Sequence, residues 1–196
     1  DVSLEWCLAQ REWDVITMQQ GSAKSGIADT SQPHLDELIA FVNQHKTNPD
    51  APLAFFSSWR HHSTSGRDAL MTHFEGDVLV MGEGVRYFMR DQIVPAGDFK
   101  WIIPASTAVE NASTGYMGDG FFRDEVHLNG MGRVIAACTF YTSLFGKPIE
   151  KLGLEKTRDS YDAEYGVAGE EGISDTPGID LSEEVRELIV AAANAA

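Results

Sequence analysis

The chain has 196 residues, 43% of them hydrophobic and 10% aromatic, a size and composition that suit one domain with a real core. Thirty acidic residues against fifteen basic ones leave a net charge of −15. That balance argues against binding a nucleic-acid backbone or docking on an anionic membrane. It fits a soluble, self-repelling surface, with adaptation to high salt as the sharper alternative. Cys7 and Cys138 are the only cysteines and form no Cys-x-x-Cys. A zinc knuckle or thioredoxin-like site is not expected, and both residues are read as buried thiols. No apolar run approaches the roughly 20 residues of a membrane helix. The chain opens at Asp1 without a Met or a signal peptide. It is therefore expected to be a processed product. The compartment stays open, and secretion or periplasmic export after loss of a leader is one reading.

In chain order, Ser3 to Glu12 predicts a short helix with Leu4, Cys7 and Leu8 on one face. Residues 13–18 predict a strand, and 19–31 a polar loop. Pro33 to Lys46 predicts an amphipathic helix carrying Leu35, Leu38, Ile39 and Val42 at helical spacing. Residues 53–56 read as a strand buried on both faces. A polar loop over 57–66 holds Trp59, Arg60, His61 and His62. A helical stretch follows over 68–94, broken near Gly76 or Gly82, and then a strand at 101–104. Residues 105–112 read as helical, 113–130 as a Gly-rich loop, and 132–145 as a helix buried along Val134, Ile135, Cys138 and Tyr141. Residues 150–178 read as a surface wrap. Asp180-x-x-Glu183 resembles a capping box opening a last helix over 182–195.

Strands alternating with helices imply an α/β fold, a parallel sheet covered by helices on both faces in a three-layer α/β/α sandwich. In such sheets the ligand site lies beyond the C-terminal strand ends. Residues 1–150 would form the α/β domain. Residues 151–196 would add the wrap and terminal helix to that same domain.

The sharpest chemical signal is Asp124-Glu125-Val126-His127-Leu128-Asn129 followed by Gly130 and a helix. An Asp and a His three residues apart in a loop can place a carboxylate under one imidazole nitrogen. The other nitrogen is then free to take a proton from a serine. This block resembles the last signature of the SGNH (GDSL-like) serine hydrolase superfamily. The flanking "FFRDEVHLNGMGRVIAACTFYTSLFG" and the early "WDVITMQQGSAKSG" are similar to a bacterial branch of it. The resemblance covers about residues 1–150. It implies a flavodoxin-like fold, incomplete at its N-terminus, and a serine esterase acting on acyl or acetyl esters, with carbohydrate-linked or small acyl esters as substrates and no metal or organic cofactor. Asp124 would be the triad acid and His127 the general base.

The superfamily's Gly-Asp-Ser block has no counterpart in the sequence, and Gln19-Gln20-Gly21-Ser22 stands where a Gly-x-Asn block is expected. Two readings stay open. In one, the serine lies in a segment absent from this chain, and Gln19, Gln20 and the amides around Gly21 hold the oxyanion. In the other, Ser22 is the nucleophile at a strand-to-helix turn, its hydroxyl beside helix N-terminal amides. Ser22 as a plain loop serine is the third possibility. Trp59 and Arg60, at a strand end, either line the substrate pocket or pack. Ser57 and Ser58 are weaker nucleophile candidates. His61-His62 with His73 match no helical ligand spacing, so no metal site is expected. Asn129 is read as a helix cap. A non-catalytic module derived from the same fold, or an inactive fragment, is the alternative to an enzyme. The short sheet would carry an unpaired edge, from which self-association is expected.

Overall fold

The computed structural model describes residues 2–153 and 181–196. The chain divides into two compact units. One comprises residues 1–60 and 66–106; the other comprises residues 61–65 and 107–196.

The first unit is built on a three-stranded parallel sheet in the order β1 (Ile16–Gln19), β2 (Leu53–Phe56), β3 (Trp101–Ile103). Ile16 pairs with Leu53, and Ala54 with Trp101. Strand side chains alternate in direction. Met18, Leu53 and Phe55 accordingly join one core with Leu8 of α1 (Leu4–Ala9) and with Ile39 and Val42 of α2 (His34–His45). Phe88, Met89 and Ile93 complete it. Phe88 ends α4 (Val78–Phe88), and the other two lie in the π-turn Met89–Ile93 that runs into α5 (Val94–Ala96). Phe55 meets Phe88 and Phe99 edge-on, at centroid separations of 6.1 and 5.1 Å. Burial of each such ring contributes on the order of 1.5–3 kcal/mol. Ala54 and Phe56, facing the other way on β2, are buried as well, as expected of a strand covered on both sides. α3 (Asp68–His73) precedes α4, and the break between them falls where the backbone turns left-handed at Glu75 and Gly76. Leu70, Phe74, Val78 and Met81 pack there as a second small cluster.

The second unit takes most of α6 (Ala105–Ala112), the π-turn Ser113–Met117, α7 (Gly130–Phe145) and α8 (Glu183–Asn194). α7 and α8 pack together. Ser182 caps α8 by accepting from the Val185 N–H at 3.3 Å. The expected capping residue Asp180 and most of the surface wrap over 150–178 lie outside the described residues.

Three local expectations are corrected. α1 is shorter than predicted and buries only Leu8; Leu4 and Cys7 are exposed. Only Cys138 is therefore a buried thiol, and burial pushes its pKa up. On α7 the buried stripe runs through Met131, Ile135, Cys138 and Thr139, while Tyr141 sits at the surface beside Phe145, 5.2 Å between ring centroids. The four-residue step from 131 to 135, then 138 and 139, defines the inner face, and position 141 falls outside it. No helix among the described residues is long and apolar enough to cross a membrane.

Candidate active site

In the second unit the segment before α7 folds back on itself. Phe122 and Leu128 form an antiparallel bridge, and the Arg123 N–H donates to the His127 carbonyl at 2.9 Å. Inside this tight turn one oxygen of Asp124, Oδ1, accepts the backbone N–H groups of Val126 (2.9 Å) and His127 (2.7 Å). The His127 ring then swings over the same carboxylate, with Nδ1 3.0 Å from Oδ1 and 2.9 Å from Oδ2. Partial burial pushes the Asp124 carboxyl upward. The two backbone N–H groups and the His127 ring outweigh it and hold the pKa down, at about 2. The carboxylate is thus ionised and can only accept, so Nδ1 of His127 carries the proton. Nε2 is left as the acceptor and makes no hydrogen bond among the described residues. Both side chains are open to solvent, 58% for His127 and 42% for Asp124.

Four further contacts hold this turn. Asn129 caps α7 by accepting from the Gly132 N–H at 3.1 Å, and its side-chain amide donates to the Gly120 carbonyl at 2.7 Å. Gly132 lies so close beneath that a Cβ there would come within 2.6 Å of the Phe121 carbonyl oxygen. The Glu125 carbonyl accepts the His62 N–H at 2.9 Å. His62 belongs to the 61–65 segment, which is itself tied down because the Asp119 carboxylate accepts the Ser63 N–H at 3.1 Å. The His62 Nδ1 accepts from the Thr64 N–H at 3.1 Å, which places the proton of the neutral ring on Nε2. Nothing in the local sequence pairs residues 61–65 with 119–125, so this clamp could not be foreseen.

The other predicted residues lie in the first unit, apart from His61 and His62. Gln19, Gln20 and Gly21 line a cavity of about 230 Å³ at the C-terminal end of β1, walled by Leu35, Leu38, Phe55 and Phe88. The Gln20 amide nitrogen spends one of its two N–H groups on the Thr30 hydroxyl at 2.8 Å, and its Oε1 is buried without a partner among the described residues. Ser22 opens a three-residue 3₁₀ turn, Ser22–Lys24, rather than a helix. Ser22 is half-buried, and its hydroxyl makes no hydrogen bond among the described residues, nor do the N–H groups of Gly21 and Ser22. Gly26 presses the rest of this loop onto α4, where a Cβ would meet the Val85 nitrogen at 2.6 Å with φ at +87°.

Trp59 is half-buried with its ring edge-on to Phe56, centroids 6.2 Å apart. Arg60 is buried. Ser57 is committed to the fold, its hydroxyl donating to the Ile103 carbonyl at 3.3 Å and lying 2.8 Å from the Ser106 hydroxyl. The Ser58 hydroxyl is buried, with no hydrogen-bond partner among the described residues. His61 is buried with Nδ1 3.4 Å from the Ser65 hydroxyl. Among the described residues no group of His, Cys, Asp and Glu side chains is placed to hold a metal ion.

The profile of a domain of unknown function, DUF4886, matches residues 1–164. The chain belongs to the DUF4886 family. A crystal structure of a DUF4886 family protein from Bacteroides uniformis ATCC 8492 is similar over 98% of this chain, at 24% identity and a TM-score of 0.77. That likeness establishes the α/β fold expected from the alternation of strands and helices. The chain spans 65% of the length of that DUF4886 structure. No curated protein matches the chain significantly.

Proposed function

We propose that this DUF4886 chain is a serine hydrolase of the esterase type, acting on acyl or acetyl esters, with His127 as general base and Asp124 as its orienting acid. The observation that carries the reading is the pairing of Nδ1 of His127 with the Asp124 carboxylate at 2.9 Å, on a side chain that is open to solvent and whose Nε2 makes no hydrogen bond among the described residues. A carboxylate held ionised below an imidazole fixes the tautomer and stabilises the imidazolium that forms when Nε2 takes a proton. The sequence resemblance to SGNH hydrolases points the same way and suggests carbohydrate-linked or small acyl esters.

The steps follow from those roles. A serine hydroxyl loses its proton to Nε2 of His127 as its oxygen bonds to the ester carbonyl. The oxyanion accepts from backbone N–H groups. The alcohol leaves with the proton from His127, and water attacks the acyl-enzyme by the same route to release the acid. Ser22, in the first unit, is the nucleophile candidate that the sequence offers, and labelling tests whether His127 of the second unit serves it. Its hydroxyl makes no hydrogen bond among the described residues, and the adjacent N–H groups of Gly21 and Ser22 are donors of the kind an oxyanion needs. No metal or organic cofactor has a role in this scheme.

The second reading, a binding module without catalysis, is favoured by the absence of a Gly-Asp-Ser block and by the short 3₁₀ turn at Ser22, which supplies no helix macrodipole. A fluorophosphonate probe with peptide mapping separates the two. Adduct at Ser22 that disappears in His127→Ala supports the esterase with Ser22 as nucleophile. No adduct and no turnover of p-nitrophenyl acetate supports the binding module. Adduct at another serine keeps the esterase and reassigns the nucleophile.

A further inference from the structure

One side chain at the Asp124–His127 turn has no part in that scheme. Because Phe122 bridges Leu128 in antiparallel register, Arg123 stands directly opposite His127, and opposed residues share a face of the ladder. Both reach the same oxygen, with Arg123 Nε 3.5 Å and His127 Nδ1 2.9 Å from Asp124 Oδ2. The Arg123 side chain is only 23% exposed. Its Nε is shut off from solvent, and the approach to Asp124 is an ion-pair contact without hydrogen-bond geometry. The terminal guanidinium nitrogens donate to no described residue, and solvent reaches them.

In this guanidinium the Nε–H is the one donor shut off from solvent and unspent, which is unfavourable, while the terminal nitrogens keep donors that water fills and a ligand can take over. Asp124 does not require it, because two backbone N–H groups and the His127 ring already keep that carboxylate ionised. The fork of an arginine matches a second carboxylate, which it can hold through two parallel N–H···O bonds. The chain as a whole carries −15, so the surface at large does not attract anions. A cation with open donors beside the imidazole is a local exception.

We propose that Arg123 binds a carboxylate of the ligand, so that the preferred substrates are esters bearing a carboxylate a few bonds from the ester carbonyl. The substrate part of this inference rests on the hydrolytic reading of Asp124 and His127; the anion-binding part does not.

Two ester pairs test it by rate: monomethyl against dimethyl succinate, with the charge on the acyl side, and O-acetylglycolate against its methyl ester, with the charge on the alcohol side. The ¹⁵N–¹H resonance of Arg123 Nε, followed during titration with monomethyl succinate, tests binding without any turnover. The account expects a saturable shift of that resonance. It also expects about a tenfold preference in kcat/KM for the charged member of one pair, the size of one charge-assisted contact. That preference should approach unity in Arg123→Gln and weaken with added salt. A saturable shift with no hydrolysis of any ester keeps the anion site and removes the hydrolytic reading. Hydrolysis without charge preference and without a shift does the reverse. A preference that survives Arg123→Gln overturns the assignment. If Arg123→Gln fails to fold, Arg123→Lys, which keeps the charge but loses the fork, should retain only part of the preference, and full retention contradicts the proposal.

Discussion

Asp124 holds His127 twice: its Oδ1 accepts the His127 backbone N–H at 2.7 Å, and its carboxylate sits 2.9 Å from the ring Nδ1. One carboxylate therefore sets both the backbone turn and the side-chain orientation. The arrangement needs no distant residue to select the imidazole tautomer.

That double role makes Asp124→Asn informative. The Asn side-chain oxygen can still accept the Val126 and His127 N–H groups, so the turn should persist. The ring would lose its charge partner and its enforced tautomer. Ester hydrolysis should fall by on the order of 10³–10⁴ while the circular dichroism spectrum stays unchanged. A loss below tenfold would speak against Asp124 as the acid.

The low Asp124 pKa has a sign that can be checked. Its folded value, about 2, lies below the ordinary 3.8 of a free Asp. The ionised form therefore contributes stability that is fully present above pH 4 and is lost as pH falls toward 2. Urea unfolding of wild type and Asp124→Asn across that range should show the wild-type advantage shrinking between pH 4 and 2. A difference that stays constant to pH 2 would refute the link.

Gly132→Ala should be costly. The new Cβ would meet the Phe121 carbonyl oxygen at 2.6 Å and the Leu128 side chain at 2.9 Å. The first of these is backbone and cannot swing aside, so the turn carrying His127 must move. Overpacking of this kind costs about 1–3 kcal/mol, measurable as a lower urea midpoint, and hydrolysis should fall with it. Wild-type stability in this variant would show that the close approach is not real.

The two thiols should behave differently. Cys7 is exposed and Cys138 is buried with its thiol pushed up. Ellman's reagent should titrate one thiol in the native protein, absent in Cys7→Ser, and the second only on unfolding. Two rapidly reacting thiols would contradict the placement of Cys138.

What the sequence made legible was local. The Asp-x-x-His spacing, the Asn129 cap and the following helix are all encoded within about ten residues, and the structure pairs the two side chains and caps that helix as the spacing implies. The apolar run at 53–56 announced a strand buried on both faces, and the α2 spacing announced Ile39 and Val42. Ends and small turns were less visible. Ser22 reads as lying at a strand-to-helix turn within a polar loop, but the chain closes a single 3₁₀ turn there and then docks through Gly26. Cys7 reads as core because one face of a short helix looks apolar, while only Leu8 finds partners. The clamp between residues 61–65 and 119–125 joins segments far apart in sequence, which no local pattern records. Arg123 was within reach: apolar Phe122 and Leu128 flanking a short polar turn imply a hairpin, and its register puts 123 opposite 127.

The most direct test of the central claim is the rate of p-nitrophenyl acetate hydrolysis by wild type and His127→Ala, both confirmed as folded. With Nε2 of His127 as the base, the variant should lose at least about 10³-fold in kcat. Equal rates in the two proteins would contradict the assignment of position 127 to the chemistry.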